Sequence, residues 1–364
     1  MTSIVDSLMV FFTSLFNIDA NLLLVPAILI PGVAIFIFMA LNVMLSVYFE
    51  RKVAAFMQDR LGPMEVGIFG WKGGKKFWGG IGQIFADTIK LLTKEDIMPD
   101  KADKVLMFLA PFIIVTGAIL TFIGVPFTEG LIVSDFNIGI LYIVAMSSVG
   151  VIGVILAGWS SNNKWSLYGA MRSAAQIISY EIPIGMGLLL VVIVCGSLQV
   201  NDIVAWQAEN RWFIFHSPFT FIAFFMFYIS VVAETNRTPF DIPEAESELV
   251  AGWMTEFSGF KWSIFFMSEY ANMLIVSIVA SFVFLGGWLS PVDIFPFNII
   301  PGPLWMIFKM LLLFILFSLV KAIVPRYRYD QLMKLGWKIF LPLSLSWVVL
   351  TASYLLYFDL LPVN

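Results

Sequence analysis

The sequence has 364 residues, of which 60% are hydrophobic and 13% are charged, and its mean hydropathy is +0.92. Soluble domains carry about a quarter charged residues, so this composition excludes an ordinary soluble enzyme and indicates an integral membrane protein. The net charge of −4 excludes a basic nucleic-acid-binding surface. With one cysteine, Cys195, and one histidine, His216, we expect no disulfide, iron–sulfur cluster, haem or metal site in this chain.

Apolar runs of about 20 residues predict the membrane spans, because a helix rises about 1.5 Å per residue and must cross about 30 Å of hydrocarbon. Residues 1–20 lack the basic region of a cleavable signal and are expected to form a short interfacial helix. We therefore predict one all-α polytopic membrane domain over residues 1–364 with eight transmembrane helices. The spans lie near 22–49, 105–126, 138–158, 167–196, 218–234, 263–286, 303–321 and 339–358.

Lysine and arginine residues fall almost entirely in one set of connecting loops. These loops are 50–104, 159–166, 235–262 and 322–338, whereas the opposite loops contain Arg211 alone. The positive-inside rule therefore predicts that the basic loops are cytoplasmic and that both termini lie on the periplasmic side. The same loops carry most of the polar sequence, which indicates a surface that docks a partner.

Residues 74–95 are predicted to form an amphipathic helix between the first two spans. Apolar residues recur there at helical spacing, and lysines with Asp87 occupy the other side. Such a helix lies in the membrane interface. It serves either as a surface anchor or as the wall of a cavity that opens to lipid.

Several charged residues fall within the predicted spans, where a charge at the bilayer centre costs about 2.5–3.5 kcal/mol. They are Arg172, Glu181, Glu234, Glu269 and Lys309. Each is expected to face protein or water. The carboxylates are candidates for function, whereas for Lys309 a functional role and a fixed ion pair remain equally open.

The acidic stretch 234–250 is unusual in so apolar a chain. Asp241 and Glu244 have the spacing of a helix cap and its partner, but Glu244 and Glu248 would then share a helix face, where like charges repel. Crowded carboxylates near hydrocarbon raise each other's pKa, so such a cluster can take up and release protons. The alternative is a solvated acidic loop.

Six blocks of sequence carry a specific resemblance. They are ERKVAAFMQDRLGP (50–63), QIFADTIKLLTKED (83–96), GWSSNNKWSLYGAMRSAAQIISYE (158–181), AETNRTPFDIPEAESELVAG (233–252), FFMSEYANM (265–273) and PRYRYDQLM (325–333). In order and content, the chain resembles the H-subunit family of proton-translocating NADH-quinone oxidoreductases (respiratory complex I), which includes mitochondrial NADH dehydrogenase subunit 1.

The resemblance implies a membrane subunit of the bacterial inner membrane that forms a quinone chamber and couples quinone reduction to proton translocation. The substrate at this shared site would be ubiquinone or menaquinone. The implied partners are peripheral-arm subunits, which carry the terminal iron–sulfur cluster and the headgroup site, together with small membrane subunits, antiporter-like subunits and lipid. The chain alone is not expected to be active.

By matching position, the resemblance also implies site residues. The chamber residues are Glu50, Arg51, Arg60 and Phe266. The proton relay comprises Glu181, Glu234, Asp241, Glu244, Glu246, Glu248 and Glu269. One departure is that Met64 and Glu65 follow Pro63, where the family often has Asn-Arg.

Two other functions are compatible with the same residues. The first is a membrane subunit of a related hydrogenase or of a ferredoxin- or F420-linked dehydrogenase. The second is an independent cation/proton antiporter, which would transport without partners.

Overall fold

The computed structural model describes residues 4–16, 20–67, 79–128, 130–242, 251–291, 295 and 297–358. Apart from an isolated β-bridge between Thr128 and Leu131, the regular structure in these residues is helical. The predicted all-α class is confirmed.

The helices follow one another with short connections. They are α1 (Ile4–Phe16), α2 (Ala20–Met57), α3 (Gln83–Thr93), α4 (Lys104–Ile123), α5 (Gly139–Ser160), α6 (Lys164–Cys195), α7 (Val200–Glu209), α8 (Phe213–His216), α9 (Pro218–Glu234), α10 (Gly259–Phe284), α11 (Gly302–Ile323), α12 (Tyr329–Lys334) and α13 (Leu341–Tyr357). Short 3₁₀ turns lie at Gly252–Met254 and Phe297–Ile299, and a π-helical turn, Leu335–Phe340, joins α12 to α13.

Seven helices in the described part of the chain are long and apolar enough to cross a membrane, so this is a multi-pass membrane protein. They correspond to seven of the eight predicted spans. The remaining predicted span, 218–234, corresponds to α9, which is apolar but has 17 residues.

Three helical segments have bounds that differ from those of the predicted segments. α2 continues through residues 50–57, because Glu50 and Lys52 are buried and have polar partners there. α3 begins at Gln83 rather than at residue 74: residues 79–82 form turns with Gly80 at φ 80°, and residues 74–78 lie outside the described part. The helical stretch formed by α12, the π-helical turn and α13 begins at Tyr329 rather than at 339, because α12 packs on α6, where Tyr180 Oη donates to the Leu332 carbonyl at 2.9 Å.

α6 lies at the centre of the fold and packs against α5, α9 and α13. Its N-terminus is capped by Asn163, whose side chain accepts a hydrogen bond from the Trp165 N–H, and it ends at Gly196, which has φ 79°. Small residues let α4 and α5 approach closely, since a Cβ at Gly153 would collide with Ile114. This packing brings the polar residues of α5, α6, α9 and α10 together inside the helix bundle.

Candidate functional site

A cavity of about 320 Å³, here called the portal cavity, lies between α2, α3 and α10. Its walls are mainly apolar and include Phe36, Val43, Val47, Ile84, Phe266 and Met267. Its polar lining includes Arg51, Gln83, Asp87 and Lys90. An apolar cavity with a few placed polar groups fits part of a lipophilic molecule that has a polar end.

α3 separates the portal cavity from the outer surface of the protein. Its outward face exposes Phe85 and Ile89, each more than half exposed, as expected of a helix against lipid. Its inward face contributes Ile84 and Leu91 to the cavity. The predicted apolar stripe is therefore divided between lipid and cavity.

Glu50 lies at the centre of a group of charges next to this cavity. It is 8% exposed, accepts a hydrogen bond from Tyr270 Oη at 2.7 Å and forms an ion pair with Lys321. The Arg237 guanidinium lies 3.7 Å from Glu50 and 3.8 Å from Glu269. Charges as buried as Glu50 and Arg237 require opposite charges beside them. The connected set of Lys321, Glu50, Arg237 and Glu269 is here called the charge ladder.

Arg237 also connects the charge ladder to the wall of the portal cavity. Its guanidinium carbon lies 4.3 Å from the centroid of the Tyr270 ring and 5.8 Å from that of Phe266. These are cation–π distances. Because Phe266 lines the cavity, one aromatic ring separates the cavity from a buried cation.

A second, smaller cavity of about 50 Å³ extends the ladder between α5, α9 and α10. It is lined by Glu234 and Glu269 together with Asn236, Ser268 and Asn272. Its volume and polar lining suit one or two water molecules. The cavity thus brings two carboxylates and several uncharged polar side chains to one space.

Glu181 lies beside this cavity on α6. It accepts a hydrogen bond from Ser148 of α5, and its carboxylate is close enough to Glu234 for the two to repel electrostatically. The structure thus brings together Glu181, Glu234 and Glu269, three of the predicted relay residues.

The loop after α9 is held against α6 and against the segment that precedes α12. Gln176 Nε2 donates to the carbonyls of Ala233 at 2.7 Å and Phe240 at 2.8 Å, and the Phe240 ring stacks on Tyr327. These contacts position Asp241, which follows Phe240.

Asp241 forms an ion pair with Arg326 at 2.9 Å. Its Oδ1 is buried and accepts no hydrogen bond from the described residues. Desolvation therefore raises the pKa of Asp241 despite the opposing charges of Arg326, Arg237 and Lys321. The other relay residues of this segment, Glu244, Glu246 and Glu248, lie outside the described residues.

The four predicted chamber residues do not share one environment. Arg51 and Phe266 line the portal cavity, whereas Glu50 belongs to the charge ladder. Arg60 lies in the exposed turn after α2, where its Nε donates to Gln58 at 2.8 Å.

The sequence matches a known protein family and several named relatives. A protein-family model described as NADH dehydrogenase matches residues 30–352. The chain belongs to the NADH dehydrogenase family. Three similar relatives are each named as the H subunit of NADH-quinone oxidoreductase. That of Pelagibacter ubique is 53% identical over 323 residues, covering 89% of this chain and 93% of the relative.

The relative from Rhodospirillum rubrum is 48% identical over 316 residues, covering 86% of this chain and 90% of its own length. That from Rickettsia bellii is 45% identical over 354 residues, covering 97% and 98%. The range matched by the NADH dehydrogenase family model contains both cavities and the whole charge ladder.

Sequence reasoning missed two members of the charge ladder, Arg237 and Lys321, and the hydrogen-bond donor to Glu50, Tyr270. Arg237 and Lys321 were interpreted only as cytoplasmic basic residues that set the topology. Tyr270 had no predicted role. A usable signal was the position of Arg237 three residues after Glu234, at the end of an apolar span, where a buried acid needs a counter-charge.

Lys309 has a structural environment. It is 5% exposed, and its Nζ donates to the carbonyls of Leu285, Gly287 and Leu289 at 2.6, 2.8 and 2.7 Å. The Trp212 ring covers it, with Nζ 4.0 Å from the ring centroid. Three acceptors use all three ammonium hydrogens, so Lys309 caps the turn that follows α10.

Proposed function

We propose that this chain is the membrane subunit of a proton-translocating NADH:quinone oxidoreductase that encloses part of the quinone chamber and couples quinone reduction to proton movement. The names of its relatives support the enzyme class. The portal cavity suits a lipophilic substrate, which would be ubiquinone or menaquinone. The chain acts as part of an assembly and contributes no redox centre of its own.

The single observation that carries this proposal is the position of Arg237. It contacts Phe266, which lines the portal cavity, and it pairs with Glu50 and Glu269 of the charge ladder. A charge that develops near the cavity therefore acts first on a cation whose carboxylate partners continue into the bundle. Electrostatic coupling passes from substrate to relay without a covalent link.

The energy of electrostatic coupling between two charges is comparable with the energy needed to move a proton against the membrane potential. Reduction of a quinone to a quinol takes up two electrons and two protons and places negative charge on its oxygens before the protons arrive. Two unit charges about 6 Å apart interact by about 2.8 kcal/mol at an effective dielectric constant near 20. Moving one proton against about 150 mV takes roughly 3.5 kcal/mol. The two energies are of the same order, so a chain of several coupled carboxylates is energetically compatible with the movement of a proton.

The proposed relay runs from the loop after α9 into the membrane. Asp241, Glu244, Glu246 and Glu248 form its entrance, and Glu234, Glu269 and Glu181 form its inner part. The cavity that Glu234 and Glu269 share supports the inner part. Arg51, Arg60 and Glu50 would bound the chamber on the side where the partner subunits dock.

We further propose that α9 is an eighth span, that both termini lie on the periplasmic side of a bacterial inner membrane, and that residues 1–364 form one membrane domain. A helix of 17 residues spans about 25 Å, which a slightly thinned bilayer accommodates. The distribution of lysine and arginine supports this orientation.

The partners on the basic face would be the peripheral-arm subunits that carry the terminal iron–sulfur cluster and complete the headgroup site. Small membrane subunits and antiporter-like subunits would adjoin the bundle laterally. The loops 50–104, 159–166, 235–262 and 322–338 supply the proposed docking surface.

The relay is tested by Glu181→Gln and Glu248→Ala in the assembled complex, reconstituted in proteoliposomes. We expect both variants to lower quinone-dependent NADH oxidation and proton pumping. Glu209→Gln, an exposed change at the end of α7, is the matched control and should leave both unchanged. Wild-type turnover and pumping in both relay variants would remove the proposed role.

A further inference from the structure

Three polar side chains in the wall of the portal cavity form a network that the charge ladder does not include. Arg51 Nη1 pairs with Asp87 Oδ2 at 2.5 Å, and Gln83 Nε2 donates to Asp87 Oδ1 at 2.7 Å. Each carboxylate oxygen thus has its own donor. All three residues line the cavity, with Arg51 on α2 and the other two on α3.

The Arg51–Asp87 ion pair is more exposed to solvent than the ion pairs of the charge ladder. The side chain of Arg51 is 50% exposed and that of Asp87 is 24% exposed, whereas Glu50 on the same helix is buried. Ion pairs this exposed contribute little to stability, because water replaces either partner readily. The Arg51–Asp87 pair can therefore open without disturbing the fold.

α3 has a separate attachment to the rest of the protein. Beyond its C-terminus, Asp96 pairs with Lys261 at 2.8 Å and the Ile97 N–H donates to Ser258 Oγ at 3.0 Å. Asp96 and Lys261 do not line the portal cavity. Opening the Arg51–Asp87 pair thus leaves α3 anchored to the start of α10.

We propose that Arg51, Asp87 and Gln83 form a polar checkpoint for the substrate headgroup in the portal cavity. A headgroup carbonyl oxygen displaces Asp87 from the Arg51 guanidinium, and Gln83 holds Asp87 in position so that the pair re-forms after the headgroup has passed. Asp87 is a positioning residue that competes with the headgroup for one donor. The inference rests on the proposed function, since it takes the passing molecule to be a quinone.

If Asp87 and the headgroup compete for the Arg51 donor, removing the donor and weakening the competitor should change KM in opposite directions. Arg51→Met removes the donor and should raise the KM for a long-tailed ubiquinone dissolved in the bilayer by about threefold or more. Asp87→Asn weakens the competitor, so the headgroup stays longer on Arg51, and both KM and kcat should fall by about threefold. A pair that only fastens α3 to α2 would shift KM in the same direction whichever partner is lost.

The experiment is quinone-dependent NADH oxidation by the assembled complex in proteoliposomes, with the amount of complex set equal on native gels. Asp96→Asn is the matched control, because it removes an ion pair of the same segment outside the cavity, and it should leave KM and kcat unchanged. Gln83→Leu frees Asp87 from its second donor and should act in the direction of Asp87→Asn.

Ala40→Phe fills the cavity from α2. This variant distinguishes failure of the proposed function from failure of the checkpoint alone. If it leaves KM unchanged, the portal cavity is not a quinone chamber and the proposed function fails. If it raises KM while Arg51→Met and Asp87→Asn shift KM together or not at all, the checkpoint alone is overturned.

Discussion

Replacing Lys309 by methionine should destabilise the chain through the turn that follows α10. The change keeps an unbranched apolar side chain but removes all three hydrogen bonds to Leu285, Gly287 and Leu289. Gly286 in the same turn has φ 74°, and a Cβ there would collide with the Trp212 ring, so the turn cannot easily adopt another arrangement. The carbonyl of Gly287 is left buried without this donor, and those of Leu285 and Leu289 lose it in a partly buried position.

The magnitude follows from those three acceptors. A buried acceptor that loses its donor costs about 1–3 kcal/mol. We take the lower end for each, about 3 kcal/mol in all, because methionine, unlike an ammonium group, loses no hydration energy on burial. The unfolding midpoint of the variant should fall by about 4 °C, because the unfolding entropy scales with chain length.

Cys195 supplies the assay. It is the single cysteine of the chain and is half-buried, so a thiol-reactive fluorescent dye reports unfolding of the purified chain in detergent. Lys104→Met is the control, since Lys104 is exposed at the start of α4 and its loss should leave the midpoint unchanged. A Lys309→Met midpoint equal to that of wild type would refute the capping role.

Two further predictions concern the charge ladder and its entrance. Arg237→Met leaves Glu50 and Glu269 without a shared cation, so we expect a loss of about 3–5 kcal/mol in the free energy of unfolding, measured in the same dye assay; an unchanged midpoint would contradict the ladder. The raised pKa of Asp241 means that its proton stabilises the folded state fully below the ordinary pKa of 3.8, and that this contribution is lost as the pH rises through the raised value. Asp241→Asn should flatten the pH dependence of the unfolding midpoint in that window, followed by tryptophan fluorescence, and a slope unchanged from wild type would refute the assignment.

The sequence predicted the fold class and most spans because long apolar runs are visible in the sequence without knowledge of tertiary contacts. It failed at boundaries where tertiary contacts decide. The helix through residues 50–57 looked like a loop because it is charged, yet Glu50 and Lys52 are buried. Glu50 is bound by Tyr270, far away in the sequence, and Lys52 donates to the carbonyl of Leu61 in the turn after the helix. The segment from Tyr329 looked like a basic loop, yet it is helical because it packs on α6.

The candidate site was predicted in part for the same reason. Acids such as Glu181 and Glu269 stand out within apolar spans, so their positions in the sequence identified them. Their counter-charges are not conspicuous, because a basic residue near a span end also fits a topology signal. Lys321 lies 271 residues from Glu50 in sequence, and only the packing of α2 against α11 brings the two together. Lys309 could not be assigned from sequence, because its partners are backbone carbonyls.

The most direct test of the account is a cryo-EM map of the assembled complex with a long-tailed quinone-site inhibitor bound. We expect inhibitor density inside the cavity between α2, α3 and α10, alongside Phe266, with Arg237 still bridging Glu50 and Glu269. Density that enters the complex elsewhere, or acidic side chains of the relay turned out into bulk solvent, would contradict the link between the quinone chamber and the charge ladder.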